Sequence, residues 1–385
     1  MSQGFLGVTT LLRWLMIYFD NAATGGRKPD RVLCAVRGAI SLCANPGRSG
    51  HKLALACANI TQDCRNLLSE YFDGYGFERV IFTKNCTEAL NIALFGALKA
   101  GDHVVTTCLE HNSVLRPLEH LKKQGIIEYS VCPLKNGELC IEDFLSLIKP
   151  NTRMAIVTLA SNVTGYTPPM YELKRRLPEN ILLVCDGAQA GGHFPISMRK
   201  LGIDALALAG HKGLCSIQGS GALLFSQRLN PAPLLFGGTG SLSLSLDQPD
   251  FYPDALEAGT INYPAVRALY EGIQHLRANE RKIFDKIFLL SEYLHQGLER
   301  LEKYTLYSRP NACGIVAFSH KEYDSETIAQ TLSDEYDIAV RGGLHCAPLA
   351  HKALGTIESG LIRVSLSPEN SKTEIDELIL ALKNF

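Results

Sequence analysis

The chain has 385 residues, of which 46% are hydrophobic and 20% charged, and its formal net charge is −1. That length exceeds what one hydrophobic core usually serves, so two domains are expected. The balanced charge excludes the broad basic excess that nucleic acid or an acidic membrane surface selects, and it points to a small-molecule ligand.

In chain order, the apolar run Leu11–Ile17 comes first, interrupted by Arg13 and followed by no small-residue cleavage site. It is far shorter than the roughly 20 apolar residues that a spanning helix needs. Residues 1–17 therefore read as an appended segment, with a targeting sequence as the alternative. From about Arg79 to Ser226, short apolar strands alternate with helical patterns. The predicted strands are Val80–Thr83, His103–Thr107, Met154–Leu159, Ile181–Cys185, Ala205–Leu208 and Gly221–Phe225, and the intervening helices include Asn112–Lys123 and Pro169–Leu177. Near-continuous apolar strands are covered by helices on both faces, so the fold class is α/β with a mainly parallel sheet. Residues 236–254, rich in Gly, Ser, Leu and Pro, read as a long functional loop. Helical patterns follow at 264–278 and 281–303, then strand Gly314–Phe318, helix Ser325–Glu335, strand Ile362–Leu366 and a last helix from Ser371. The expected division is 1–17 appended, 18–263 a large ligand-binding domain and 264–385 a small α+β domain.

Twelve cysteines are scattered, and the closest two, Cys57 and Cys64, are seven apart, so there is no Cys-x-x-Cys knuckle. Buried free thiols in a reducing compartment fit that usage, and a cytoplasmic location is expected.

Polar groups gather at four strand ends, where ligands of parallel sheets usually bind. Thr83-Lys84-Asn85-Cys86-Thr87-Glu88 opens a helix expected over Ala89–Leu98; it suits an anion, or it is a plain N-cap. His111, in Glu110-His111-Asn112-Ser113, could stack on a flat ring or relay a proton, or serve structure alone. Asp186, in Asp186-Gly187-Ala188-Gln189, could hold a pyridinium nitrogen, bind a metal or cap a helix. Lys212, in Ala209-Gly210-His211-Lys212-Gly213, is costly at an apolar strand end unless used, and a neutral amine there can attack an aldehyde. The order of these groups along the chain carries more information than any one of them.

With those blocks and Tyr18-Phe19-Asp20-Asn21-Ala22-Ala23-Thr24, the chain resembles the class V aminotransferase family of pyridoxal phosphate enzymes, in its cysteine desulfurase and selenocysteine lyase branch. The resemblance runs from Tyr18 almost to the C-terminus. It implies a large cofactor-binding α/β domain with a seven-stranded type of sheet, a small domain and a homodimer. It implies further that Lys212 carries pyridoxal 5'-phosphate, that His111 stacks on the ring and that Asp186 pairs with the pyridine nitrogen. Gln189 and Asn162 would approach the ring hydroxyl, Asn162 also serving substrate, while Thr87 and His211 would hold the phosphate. Thr260, in Glu257-Ala258-Gly259-Thr260, would reach the phosphate bound by the other subunit. Ala209 and Cys86 stand where hydroxyl residues are common, which suggests a slightly weaker phosphate cup.

Arg341-Gly342-Gly343-Leu344-His345-Cys346-Ala347-Pro348 decides the reaction. Its glycines suit a mobile loop, and a neighbouring imidazolium or arginine would favour the thiolate of Cys346. By the resemblance, Cys346 takes sulfur from a cofactor-bound L-cysteine as a persulfide, L-alanine leaves, and a sulfur-acceptor protein or thiol collects the sulfur. Arg363, assisted by Arg341, would grip the substrate carboxylate, for which a planar guanidinium fork is suited. A metal on His345, Cys346 and His351 is disfavoured, because adjacent ligands rarely close one tetrahedral site. The alternatives are a selenocysteine lyase on the same scaffold, an aminotransferase or epimerase, and a non-catalytic binding platform.

Overall fold

The computed structural model describes residues 16–42, 44–47 and 49–385, so all but the last two residues of the expected appended segment lie outside the described residues. The chain forms two compact units, one of residues 28–161 and 167–281, the other of the residues up to Arg27 with Asn162–Tyr166 and Lys282–Phe385. The linear division expected from the sequence gave residues 18–27 and Asn162–Tyr166 to the large domain and 264–281 to the small one, whereas these units group them the other way. The reason is long-range pairing: Ile17–Tyr18 lies parallel to Ile338–Ala339, and Asn162 is bonded to both His345 and Arg363.

The larger unit is built on seven strands: β1 (Val80–Thr83), β2 (Asp102–Thr107), β3 (Ile127–Cys132), β4 (Thr152–Thr158), β5 (Leu182–Asp186), β6 (Ala205–Ala209) and β7 (Gly221–Phe225). Their order is β1-β7-β6-β5-β4-β2-β3. β7 runs against both of its neighbours and the other pairings are parallel. β5 and β6 are buried at every residue, which is why they read as unbroken apolar runs. β3 is the strand missing from the sequence expectation. It lies at the sheet edge and is only partly buried, so its apolar signal is weak. Val104, Ile156, Val184, Ala207 and Leu223 of the sheet pack with Leu90, Leu94, Val114 and Leu118 of the covering helices. Truncating one such leucine to alanine costs about 2–5 kcal/mol.

Gly221 is required by a close approach at the head of β7. A Cβ there would lie 2.7 Å from the Asn85 carbonyl carbon and 2.8 Å from the Leu208 oxygen. Glycine thus lets β7 pass beneath the turn from which helix Cys86–Ala97 starts. That helix begins three residues before the sequence expectation, because Asn85 caps it: Asn85 Oδ1 accepts from the Glu88 N–H at 2.9 Å. Glu88 reaches back to accept from the Lys84 N–H at 2.5 Å.

The smaller unit contains an antiparallel sheet of β8 (Tyr304–Leu306), β9 (Ile315–His320) and β10 (Ile362–Ser365) in that order. Helices Ser325–Tyr336 and Lys372–Leu382 belong to the same unit, and Ser371 with Glu374 forms a capping box on the second. Phe19, Leu294, Phe318, Leu332, Val364 and Leu378 form its core. The two helical patterns expected at 264–278 and 281–303 are one helix, Tyr263–Leu298. The intervening Asn279-Glu280 contains no proline or glycine to break it. No helix among the described residues is long and apolar enough to cross a membrane.

Candidate active site

In the larger unit, Asp186 closes β5 and is buried. Its Oδ1 accepts from the Ala188 N–H at 2.8 Å and from Cys86 Sγ at 3.3 Å. Burial, and next the charge of Asp186, push the Cys86 thiol well above its usual range, so it remains a proton donor. The Lys212 ammonium is near enough to oppose that rise. Cys86 therefore serves the carboxylate, a role the sequence expectation of a missing phosphate hydroxyl did not contain.

Thr87, one residue further along the capped helix, shares a 2.7 Å hydrogen bond with Ser113 Oγ. Ser113 Oγ lies 2.8 Å from His111 Nδ1, and the Ser113 N–H donates to the same nitrogen at 3.0 Å. A backbone N–H can only donate, so Nδ1 is an acceptor and the ring proton sits on Nε2. Ser113, which the sequence reading left unassigned, thereby links the ends of β1 and β2, while the neighbouring Cys86 ties β1 to β5.

Lys212 follows β6 in a turn closed by a bond from the Cys215 N–H to the Lys212 carbonyl at 3.0 Å. The next residue must be small: a Cβ on Gly213 would lie 2.4 Å from the Gly191 oxygen and 2.7 Å from the His193 ring. His211 is pushed down to about 4, by burial first and then by the charges of Lys212 and Lys28. It is thus a neutral ring near pH 7, able to meet a phosphate by hydrogen bonding. Lys28 Nζ donates to the His211 carbonyl at 2.8 Å, adding a cation beside the turn. Gln189 is buried two residues after Ala188's predecessor Gly187, in the turn that leaves Asp186.

Thr260 is exposed. Its segment is anchored by Glu257, which takes Arg65 Nη1 at 2.9 Å, Arg65 Nη2 at 2.5 Å and the Phe82 N–H at 2.6 Å. A cavity of about 150 Å³ lies there, lined by Phe82, Glu88, Ile92, Glu257, Thr260 and Leu269. Thr87, His111, Asp186 and Lys212 do not line it.

The smaller unit brings together Asn162, Arg341, Cys346 and Arg363. Arg341 and Arg363 exchange backbone bonds at 3.2 and 2.8 Å. Arg363 is almost wholly buried; its Nη1 donates to the Asn162 carbonyl at 3.0 Å and its Nη2 to Asp20 Oδ1 at 2.8 Å. Its buried Nε has no hydrogen-bond partner among the described residues. Asn162 Nδ2 donates to the His345 carbonyl at 2.7 Å. Cys346 is exposed, with Arg341 Nη2 at 4.0 Å from its sulfur. The sequence reading allowed either an imidazolium or an arginine beside this thiol, and the imidazolium is corrected here. His345 is buried and pushed down to about 2, by burial first and then by the Arg363 charge. It packs against His351, with Nδ1 3.5 Å from His351 Nε2. The fixed charge near the sulfur is Arg341.

The donor set fits pyridoxal phosphate. A buried carboxylate whose Oδ1 is already held by two donors suits a pyridinium. The capped N-terminus of a twelve-residue helix, with a hydroxyl at Thr87, suits a phosphate. The unpartnered Arg363 Nε suits a substrate carboxylate.

The model of the class-V aminotransferase family matches residues 17–378. A cysteine desulfurase from Yersinia pseudotuberculosis is 30% identical over 96% of this chain and 93% of its own length. The apo structure of a cysteine desulfurase from Thermococcus onnurineus superposes with a TM-score of 0.89 at 30% identity, covering 96% of this chain and 94% of that one. An Escherichia coli cysteine desulfurase in an S-sulfonic acid form gives 0.87 at 25% identity, covering 97% and 95%. With the family model matching it over most of its length, the chain belongs to the class-V aminotransferase family.

Proposed function

We propose that this chain is a pyridoxal phosphate-dependent cysteine desulfurase that converts L-cysteine to L-alanine and receives the sulfur on Cys346. The observation that carries this reading is the exposed Cys346 thiol with the Arg341 guanidinium beside it, on a loop whose neighbour Arg363 keeps a donor unpartnered. The names of the relatives support it.

In this reading Lys212 bears the cofactor, Asp186 holds its ring nitrogen, Gln189 its ring hydroxyl, and Thr87 with His211 its phosphate. Bound there, pyridoxal phosphate supplies an aldehyde carbon for the substrate amine and a ring that acidifies the substrate α-carbon. Arg363, with Asn162 beside it, holds the substrate carboxylate. The Lys212 amine moves the proton at the substrate α-carbon, and the Nε2–H of His111 is placed to pass a proton. The Cys346 thiolate then attacks the substrate sulfur. A sulfur–sulfur bond forms, the carbon–sulfur bond breaks, and its electron pair stays with the substrate carbon, which takes a proton to become the methyl group of alanine. Arg341 places positive charge where the sulfur carries negative charge during attack. A reducing thiol or acceptor protein afterwards removes the persulfide sulfur.

A homodimer completes the reading, with Thr260 reaching the phosphate of the second copy. The exposed Leu234, Phe236, Leu244 and Leu246 support an interface on this unit. A cytoplasmic site of action fits the free thiols.

The test is product analysis with L-cysteine and a reductant. Alanine and sulfide in equal amounts are expected, and Cys346→Ala should abolish sulfide release. Full activity of that variant on L-selenocysteine alone would assign selenocysteine lyase instead, and keto acid or inverted substrate without alanine would assign transamination or epimerisation.

A further inference from the structure

The block Tyr18–Thr24 has no part in the chemistry described so far, yet it is stitched to the strand that carries Arg363. The Ser365 N–H donates to the Phe19 carbonyl at 2.6 Å, and Asn21 Nδ2 donates to the Ser365 carbonyl at 2.8 Å. The Ala22 N–H donates to Ser365 Oγ at 2.9 Å. The Asp20 carbonyl accepts from the Ala23 N–H and from the Tyr18 hydroxyl, both at 3.1 Å. These bonds fix the backbone of Asp20 on both sides. Its carboxylate, bonded to Arg363 Nη2 at 2.8 Å, therefore has a defined position and is no wandering surface charge.

The guanidinium of Arg363 has three nitrogens. Nη2 is held by Asp20 and Nη1 by the Asn162 carbonyl, and Nε is the buried donor without a partner. Two acceptors on the far nitrogens fix both the plane and the rotation of a planar fork. An arginine this buried also needs an opposite charge while no substrate is present.

We propose that Asp20 is a positioning residue for substrate recognition: it holds Nη2 of Arg363 so that the Nε–H is directed to the α-carboxylate of an amino-acid substrate. The inference rests on the reading of Arg363 as the carboxylate clamp. Asp20 makes no contact with the substrate itself. It sets which edge of the guanidinium is offered, and with it the preference for a free α-carboxylate over a neutral group of the same shape.

The experiment compares L-alanine with L-alaninamide, which lacks the carboxylate, as ligands of the holoenzyme, followed through the absorbance of the bound cofactor. The parent enzyme should bind L-alanine more tightly. Asp20→Ala should lose at least about tenfold of that preference through weaker alanine binding, with alaninamide binding unchanged. The same variant should raise KM for L-cysteine with kcat largely kept. A partner serving stability alone would lower Tm and leave the preference intact, and that result overturns the proposal. Where Asp20→Ala does not fold, Asp20→Glu carries the test. It keeps the offsetting charge and moves it by one methylene, so a drop in preference of at least about threefold is expected, and an unchanged preference overturns the proposal. A parent enzyme with no preference would remove the clamp reading of Arg363 itself, and Asp20 with it.

Discussion

The two units carry their reactive groups in opposite ways. In the larger unit Asp186 and Gln189 are buried at the sheet, and Thr87, His111 and Cys86 are joined to their surroundings by short hydrogen bonds. In the smaller unit the sulfur of Cys346 is exposed on a loop where His345 and Cys346 both have left-handed backbones, with φ of 52° and 56°. Left-handed backbone at a residue with a Cβ costs roughly 1–2 kcal/mol. The loop is held in that form from beneath, where His345 is buried against His351 and Asn162 grips its carbonyl. Holding a cofactor calls for many fixed bonds. In the proposed reading, handing on a sulfur atom calls for a nucleophile that solvent and an acceptor can reach, and the strained turn leaves Cys346 exposed between the buried His345 and Ala347.

The largest expected effect separates the two jobs. Lys212→Ala should eliminate the absorbance of bound pyridoxal phosphate and reduce turnover of L-cysteine by 10³-fold or more, on the order of losing a covalent catalyst. Cys346→Ala should cause a comparable loss of sulfide production while the absorbance of the bound cofactor remains. Spectra and sulfide assays on the same two preparations check this. If Cys346→Ala also loses the absorbance, the division between a holding unit and a transferring loop is wrong.

Much of the holding unit was legible in the sequence, because parallel strands buried on both faces write themselves as apolar runs and the groups after them fall at strand ends. Val80–Thr83 and Gly221–Phe225 match the expectation residue for residue. What stayed hidden depends on contacts between distant residues. Cys86 and Asp186 are 100 residues apart, and Asp20 and Arg363 are 343 apart. No periodicity reports such a pairing, so Cys86 read as a lost hydroxyl and Asp20 as part of a block that carried the family resemblance with no role of its own. The imidazolium expected beside Cys346 failed for a similar reason. Adjacent residues of a tight turn can point to opposite environments, and His345 is buried where Cys346 is exposed.

A smaller effect sharpens the holding side. Cys86→Ala leaves Asp186 Oδ1 with the Ala188 N–H alone. A hydrogen bond from a weak S–H donor is worth about 0.5–1.5 kcal/mol, so the dissociation constant of the cofactor should rise roughly two- to tenfold. Cofactor release measured by fluorescence checks this, with sulfide production per loaded active site close to that of the parent. Cys86→Thr distinguishes the two roles of the position. Tighter phosphate retention would restore the sequence reading of a depleted cup, and weaker retention would favour the thiol as support for Asp186.

The smallest effect on turnover, and a clear one on stability, is expected at Glu110. It is wholly buried in the larger unit, with Oε1 accepting from the Thr107 hydroxyl at 2.7 Å and the Thr158 N–H at 2.9 Å, and Oε2 has no partner among the described residues. Burial is the main cause that pushes its carboxyl up to about 8; those two bonds oppose the rise and the Asp186 charge adds to it. The folded protein therefore keeps this proton over a range where the unfolded chain, near 4.5, has released it. Where the folded state binds more protons, stability falls as pH rises. The contribution is complete below about pH 4.5, declines through the neutral range and is gone above about pH 8. Glu110→Gln keeps an oxygen for both donors and cannot ionise. Its Tm should change less than that of the parent between pH 5.5 and 8.5, the underlying stability difference being on the order of a few kcal/mol at most. Parallel Tm–pH curves for the two proteins would show that the carboxyl is ionised in the fold, and that a buried network around Asp186 can tolerate a second charge which the burial argument says it cannot.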